Sequence, residues 1–263
     1  MNVIETKNVC VSYDKKLTIH DLSIQIPKGQ ITTLIGPNGC GKSTLIRTIA
    51  HLLKPSDGAV FLDSQNIDKK KISDIAKEMA VLPQTNNLAN DLTVQELVTF
   101  GRIPYRKRFS TLSKEDHEKI DWALEKASLK DLRNRRISTL SGGQRQRAWI
   151  AMAIAQDTDT IILDEPTTYL DLTHQLDVML LIKELNEKEH RTIIMALHDL
   201  NHAARFSDQL IAIKKGVLQV SGPVQEVITK NNLRNIFDID AKIIEDKSKP
   251  MILTYNRWRG GQV

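Results

Sequence analysis

The sequence predicts an α/β fold interrupted by a helical region, and three stretches of the chain support this prediction. Residues 31–35 form a short apolar run led by β-branched side chains, which is typical of a buried strand. Between residues 84 and 140 the strand-like runs stop, and charged stretches with helical spacing take their place. From residue 160 onward, apolar runs again alternate with helical patterns. An α/β core with a helical insertion is the simplest arrangement that fits this order.

The individual elements follow from periodicity and from turn residues. Strands are predicted at residues 4–13, 18–26, 31–35, 59–62 and 80–82, and later at 192–197, 209–213, 217–220, 241–244 and 251–255. Helices are predicted at residues 42–53, 96–100, 115–127, 129–135, 141–156 and 174–189. A basic cluster of Arg102, Arg106, Lys107 and Arg108 suggests a solvated face, with a partner or lipid surface as the alternative.

Composition limits the class of protein without identifying it. The chain has 263 residues, 41% of them hydrophobic, which suits one large α/β domain or two lobes. A formal charge of +5 is compatible with nucleic acid or with the acidic face of a membrane. The longest apolar stretch, residues 148–155, is far shorter than the ~20 residues of a spanning helix. There is no signal-peptide pattern and no disulfide framework, so a reducing cytoplasm is expected.

The most informative stretch is the phosphate loop, residues 36–44, which matches the pattern G-x-x-x-x-G-K-[ST] between a predicted strand and a predicted helix. Its residues are Gly36, Pro37, Asn38, Gly39, Cys40, Gly41, Lys42, Ser43 and Thr44. Glycines allow backbone N–H groups to approach a phosphate, and the helix N-terminus adds partial positive charge. Lys42 is expected to reach the β- and γ-phosphates, and the Ser43 hydroxyl to bind Mg²⁺. The alternative is a glycine-rich turn that matches by chance.

Two side chains near this loop have open interpretations. Tyr13 could stack on a purine base, or it could be a partly buried aromatic of a strand. Cys40 could be a small filler inside the loop, or a thiol that ATP protects from a maleimide.

A second chemical element is the strand of residues 161–163, which ends in Asp164 and Glu165. In a chain with a phosphate loop, Asp164 is expected to hold the metal. Glu165 lies at the carboxyl end of the strand, where α/β proteins bind ligands, and could deprotonate a water facing the γ-phosphate. An exposed strand end without function is the alternative.

A third element is the signature turn, residues 140–144, with the sequence Leu-Ser-Gly-Gly-Gln. Ser141 is a favourable N-cap, and Gly142 and Gly143 would expose N–H groups at a positive helix end. This second possible anion site lies about 100 residues from the first, which allows a nucleotide to lie between two chains. A capped surface helix is the alternative.

Taken together, these motifs resemble the nucleotide-binding subunit of an ATP-binding cassette (ABC) transporter over residues 3–237. In the family's order they are Tyr13, the phosphate loop, Gln84, the signature turn, Asp164 with Glu165, Asp171 and His198. The resemblance implies a P-loop NTPase fold with a RecA-like α/β core, an antiparallel β subdomain and an inserted α-helical subdomain. The implied boundaries are residues 1–83 and 158–263 for the core and 84–157 for the helical subdomain.

The resemblance also implies residue roles, with ATP and Mg²⁺ as cofactors. Gln84 would contact Mg²⁺ and the attacking water and couple to a membrane partner, and Asp171 would link two sites across a dimer. His198 would contact the γ-phosphate. The implied catalytic residues are Glu165, His198, Gln84 and Lys42; the implied metal-binding residues are Ser43, Gln84 and Asp164. The implied nucleotide contacts are Tyr13, residues 36–44, Ser141, Gly142, Gly143, Gln144 and Asp171.

A finer resemblance concerns residues 36–41, 101–105 and 166–172, which are similar to the importer ATPases for ferric siderophores, haem and cobalamin. It implies an ATPase at the cytoplasmic face of the cell membrane that drives iron-siderophore uptake, with haem or cobalamin as alternative cargo. The implied partners are a second copy or close paralogue, a permease and, indirectly, an extracytoplasmic binding protein, without nucleic acid. A soluble ABC protein acting on nucleic acid or ribosomes is disfavoured, because the chain has one phosphate loop, no cysteine pairs and no long heptads.

Overall fold

The computed structural model describes residues 1–13, 16–84, 91–106 and 111–258. The chain divides into two compact units, the first made of residues 1–69 and 194–263 and the second of residues 70–193. The boundaries 84 and 157 expected for the helical subdomain stay a prediction.

The N-terminal part of the first unit is an antiparallel sheet followed by the strand and helix that flank the phosphate loop. Its elements are β1 (Asn2–Tyr13), β2 (Lys16–Leu22), β3 (Gln25–Pro27), β4 (Ile31–Ile35), α1 (Lys42–Ile49), β5 (Asp57–Leu62) and β6 (Gln65–Asn66). β1 pairs antiparallel with β2, β3 and β5. Every residue of β4 is buried, as its apolar run predicts.

The single strand predicted at residues 18–26 is wrong, because the chain forms β2 and β3 with a break between them. The Thr6 hydroxyl donates to the carbonyl of Leu22 at 2.9 Å and accepts from the backbone N–H of Ile24 at 3.0 Å. These backbone groups are therefore satisfied by a side chain at the break. Nothing in the alternating pattern of residues 18–26 signals this bond.

The second unit combines helices with two parallel strands. Its elements are α2 (Ile72–Glu78), β7 (Met79–Leu82), α3 (Val94–Thr99), α4 (Lys114–Lys126), α5 (Gly142–Ala155), β8 (Thr160–Asp164), α6 (Leu172–Glu187) and the start of β9 (Thr192–Ala196), which ends in the first unit. β7 and β8 are parallel, with Leu82 opposite Leu163. Helices α3, α4 and α5 pack against one another around buried side chains such as Leu97, Leu124 and Ile150.

The helix predicted at residues 129–135 is also wrong, since only a short 3₁₀ turn forms at Lys130–Leu132. The backbone carbonyls of Arg133 and Arg135 instead accept from the N–H groups of Gln95 and Val94, each at 2.9 Å. They therefore satisfy the open N–H groups at the start of α3 rather than extend a helix of their own.

The rest of the first unit holds α7 (Leu200–Phe206), β10 (Gln209–Lys214), β11 (Val217–Pro223), α8 (Val224–Val227), α9 (Lys230–Phe237), β12 (Ile239–Asp246) and β13 (Lys249–Arg257). β10 pairs parallel with β4, the strand before the phosphate loop, and antiparallel with β11. The hairpin of β12 and β13 confirms the two strands predicted near the end of the chain. No helix in the described ranges has both the length and the apolar character to cross a membrane.

The predicted interpretation of the basic cluster is wrong for Arg102. Its side chain is 2% exposed, its Nε donates to Asp116 Oδ1 at 2.8 Å, and its Nη1 donates to the carbonyl of Ala155 at 2.9 Å. The guanidinium also lies 4.1 Å from the centre of the Tyr105 ring. A charge count cannot distinguish this buried arginine from exposed Arg106, and Lys107 and Arg108 lie outside the described residues.

Candidate functional site

The phosphate loop contains three glycines with positive φ angles, and two of them leave no room for a side chain. Gly36, Gly39 and Gly41 have φ angles of 153°, 72° and 108°, in the region that disfavours side chains. A Cβ at Gly36 would lie 2.1 Å from the Ile213 carbonyl oxygen, and one at Gly41 would lie 2.6 Å from Ile19 Cδ1. Gly36 and Gly41 are therefore required by packing within the first unit, whereas an added Cβ at Gly39 would meet nothing within 4 Å.

Lys42 lies within the loop and is 5% exposed. Its Nζ donates to the Gly36 carbonyl at 2.9 Å and contacts the Pro37 carbonyl at 3.5 Å. Gly41 is the N-cap residue of α1, which therefore has no side-chain cap, and its first turn contains no acidic residue. A cation beside an uncapped helix N-terminus suits the phosphates of a nucleotide, and the contact of Lys42 with a phosphate stays a prediction. Ser43 and Thr44 follow in the first turn of α1, both partly exposed.

Cys40 is 4% exposed inside the loop, and its carbonyl accepts from the Gly216 N–H at 2.9 Å. Burial raises the pKa of the thiol, although the charge of Lys42 acts in the opposite direction. Both burial and the raised pKa disfavour reaction with a maleimide, because the thiolate is the reactive form. The geometry favours the filler interpretation of Cys40.

In the second unit, two strand ends bring Gln84 and Glu165 together. Because β7 and β8 run in parallel, their carboxyl ends lie at the same edge, and the two residues follow these ends. The Gln84 side-chain amide donates to Glu165 Oε2. Glu165 is 9% exposed and has a φ angle of 55°, a left-handed conformation that is unfavourable for a residue with a side chain.

Thr168 is a contributor that sequence reasoning missed. Its backbone N–H donates to the Glu165 carbonyl at 3.3 Å, and its hydroxyl donates to Glu165 Oε2 at 3.1 Å. One carboxylate oxygen of Glu165 thus accepts from both Thr168 and Gln84. A hydroxyl residue three positions after the carboxylate was the available signal, because a tight turn returns such a residue to its start.

The expected metal ligands lie in different units. Asp164 is the last residue of β8 and is 4% exposed, and Ser43 lies in the first turn of α1. A carboxylate and a hydroxyl are hard oxygen donors, which suit Mg²⁺ together with phosphate oxygens and water. Within the described ranges no group of three His, Cys, Asp or Glu residues is placed to hold a metal ion.

The signature turn confirms the prediction that Ser141 caps a helix. The Ser141 Oγ accepts from the Gln144 N–H at 3.2 Å, and Gln144 Oε1 accepts from the Ser141 N–H at 3.1 Å. This capping box starts α5, with Gly142 and Gly143 in its first turn. An accepting hydroxyl still has its own hydrogen, so Ser141 can donate to an anion while it caps the helix.

Asp171 is the N-cap of α6, where its Oδ1 accepts from the His174 N–H at 2.9 Å and lies 2.6 Å from His174 Nδ1. The backbone hydrogen bond from His174, followed by the side-chain bond, lowers the pKa of Asp171. His198 is exposed and lies in the first unit between β9 and α7. The side chain of Tyr13 lies outside the described part of the chain, so neither interpretation of it is tested.

Comparison with known proteins places this arrangement in a family. The sequence profile described as "ABC transporter" matches residues 19–168, more than half of the chain. The chain belongs to the ABC transporter ATP-binding family. It is therefore an ATP-binding ABC ATPase with an α/β fold of the P-loop NTPase class, as the motifs predict.

Two curated relatives and one solved structure extend this result. The chain is 50% identical over 258 residues to the iron(3+)-hydroxamate import ATP-binding protein FhuC of Bacillus subtilis (strain 168), covering 97% of this chain and 96% of the relative. It is 40% identical over 253 residues to the ferric enterobactin transport ATP-binding protein FepC of Escherichia coli (strain K12), covering 95% and 93%. The dimeric cassette MJ0796 bound to ADP and phosphate has a TM-score of 0.73 and 30% identity, covering 84% of this chain and 98% of that one.

Proposed function

We propose that this ABC ATPase is the ATP-hydrolysing subunit of an importer for ferric siderophores, and that Glu165 is its general base. The observation that carries the catalytic role is the placement of Glu165, buried at the end of β8 and held by Gln84 and Thr168. A carboxylate fixed in one orientation can accept a proton from an attacking water. Gln84 both orients this carboxylate and, with His198, positions the water.

Nucleotide binding is assigned to the phosphate loop, with Lys42 facing the β- and γ-phosphates and Tyr13 stacking on the base. Ser43 and Asp164 would hold Mg²⁺, and the ion would supply positive charge beside the phosphates. The signature turn, including Gln144, contacts the γ-phosphate of a nucleotide held by a second copy, and Asp171 links the two sites. Because the contacts between the signature turn and this γ-phosphate exist only in the closed dimer, ATP favours closure and its hydrolysis favours reopening. The similarity to a dimeric cassette supports this arrangement.

The cargo is proposed from the relatives. Proteins named for import of iron(3+)-hydroxamate and of ferric enterobactin align with nearly the whole chain. A ferric siderophore would pass through a separate permease, which receives it from an extracytoplasmic binding protein. The chain itself acts at the cytoplasmic face of the membrane, where closure of the dimer moves the permease.

The central test replaces Glu165 with Gln, which keeps the shape of the side chain and removes its basicity. We expect ATP hydrolysis to fall at least ~100-fold, because a general base contributes that much or more. The Glu165→Gln variant should also form a stable dimer with ATP and not with ADP, measured by size-exclusion chromatography with light scattering. Glu118→Gln, an exposed position on α4, is the matched control and should behave as wild type. Hydrolysis near the wild-type rate in Glu165→Gln would contradict the proposed base.

The same variant tests the cargo in cells that lack any redundant ATPase able to drive the same uptake. Uptake of labelled ferric hydroxamate, ferric catecholate, haem and cobalamin is compared between wild type and Glu165→Gln. We expect selective loss of ferric siderophore uptake in the variant. Loss of haem or cobalamin uptake alone would reassign the cargo, and unchanged uptake of all four would contradict the importer assignment.

A further inference from the structure

The side of the signature turn that faces its own unit packs against the start of α6. A Cβ added at Gly143 would lie 1.8 Å from His174 Cδ2 and 2.5 Å from its Cγ. The imidazole therefore lies directly on the backbone of Gly143, with no room for a side chain between them. A Cβ at Gly142 would lie 3.7 Å from Leu170 Cδ2, an ordinary contact. The tight contact is specific to His174.

The other edge of the same imidazole holds Asp171. His174 Nδ1 lies 2.6 Å from Asp171 Oδ1, and the backbone N–H of His174 donates to the same oxygen at 2.9 Å. The backbone bond alone would complete the N-cap of α6, so the ring is not required for capping. One side chain thus contacts both Gly143 and the Asp171 carboxylate.

This contact does not fill a core. Asp171 and Leu172 are exposed, and neighbouring Tyr169 is 96% exposed with a φ angle of 65°. The His174 side chain itself is about one third exposed. Tyr169 is thus a bulky surface residue in a left-handed conformation, close to the Asp171 carboxylate, which two bonds fix. This combination is more consistent with a surface that contacts a partner than with packing for stability.

We propose that His174 is a positioning residue that fixes Asp171 relative to the signature turn, so that both face a second copy of the chain as one rigid edge. The inference rests on the proposed function, in which ATP closes a dimer through these two elements. His174 does not contact the nucleotide. By holding Asp171 and the signature turn in place before closure, it reduces the conformational entropy that these two elements lose when the dimer forms. Preorganisation of this kind strengthens association.

The test measures the ATP-dependent dimer dissociation constant in the Glu165→Gln background, by sedimentation with ATP and with ADP. We expect His174→Ala to weaken the ATP dimer about 10-fold, with nucleotide affinity of the monomer and the thermal midpoint unchanged. His174→Asn keeps a side-chain N–H for Asp171 and should recover most of the loss. Thr173→Ala, an exposed neighbour in the same turn, should match the parent.

The outcomes separate the two proposals. If the parent Glu165→Gln does not dimerise with ATP, the proposed function fails and the role of His174 fails with it. If the parent dimerises and His174→Ala dimerises equally well, only the role of His174 is overturned. A lower thermal midpoint with an unchanged dimer constant would show a purely structural histidine, and equal losses in His174→Ala and His174→Asn would exclude positioning through Asp171.

Discussion

The phosphate loop and the signature turn both place glycines at the start of a helix, but their helix starts are completed in different ways. In the phosphate loop, Gly36, Gly39 and Gly41 have positive φ angles, and α1 begins without a side-chain cap. In the signature turn, Gly142 and Gly143 are helical, and α5 begins with a capping box from Ser141.

The difference indicates what each region contributes to an anion site. The phosphate loop has a backbone shape that favours glycine, and its own lysine lies across it, so its geometry suits a phosphate before any ligand binds. In the signature turn the backbone N–H of Gln144 is already bonded to Ser141, so fewer backbone N–H groups are open to an anion. Side chains therefore account for more of its possible contacts. A partial site of this kind is suited to completing a site that another chain begins.

The largest expected effect comes from adding one methyl group to each region. In Gly36→Ala the new Cβ meets the Ile213 carbonyl oxygen at 2.1 Å in an unfavourable φ region, so we expect a loss of at least about 3 kcal/mol in the free energy of unfolding. In Gly142→Ala the Cβ meets only Leu170 Cδ2 at 3.7 Å in helical backbone, so the change should stay within about 0.5 kcal/mol. Urea unfolding without nucleotide measures both. Equal losses would contradict the contrast between the two regions.

The next effect concerns the far end of the signature helix. Arg102 donates to the carbonyl of Ala155, the last residue of α5, and pairs with Asp116 while both side chains are at least nine-tenths buried. Arg102→Met would leave the buried Asp116 carboxylate with its bonds from Ser113 but without its cationic partner, so we expect a loss of roughly 3 kcal/mol in the free energy of unfolding.

An exposed ion pair on α4 provides the control for Arg102→Met. Lys114 and Glu118 are 3.7 Å apart and 93% and 64% exposed, so Lys114→Met should change stability by less than about 1 kcal/mol. Urea unfolding of the two variants is compared under identical conditions. If Arg102→Met lowers the free energy of unfolding no more than Lys114→Met does, the bonds of Arg102 at the C-terminus of α5 do not stabilise the signature helix.

How far the sequence predicted this molecule depends on the kind of interaction. Residues 31–35 were predicted as β4 to the residue, and Ser141 as a cap, because both depend on neighbours in sequence. The break between β2 and β3 was missed because it depends on Thr6, which lies 16 residues from its partner Leu22. A local pattern contains no information about such a contact.

The same limit applies to the candidate site. The strand-end positions of Gln84 and Glu165 follow from the order of strands and motifs, whereas their hydrogen bond follows from the parallel pairing of β7 with β8. His174 and Gly143 are in contact although 31 positions separate them in the sequence. The burial of Arg102 likewise depends on distant partners, Asp116 and Ala155. The roles of the site residues in ATP hydrolysis stay predictions that the proposed variants test.

The smallest effect separates capping by Ser141 from contact with an anion. Ser141→Ala removes the side-chain bond to the Gln144 N–H, so we expect a loss of about 1 kcal/mol in the free energy of unfolding. Ser141→Asp keeps an accepting oxygen at the helix N-terminus and should be as stable as wild type. Its carboxylate would repel a phosphate, so ATP hydrolysis should fall at least about 10-fold in both variants. Full activity in the stable Ser141→Asp variant would mean that Ser141 only caps α5, and the signature turn would then act through its glycines.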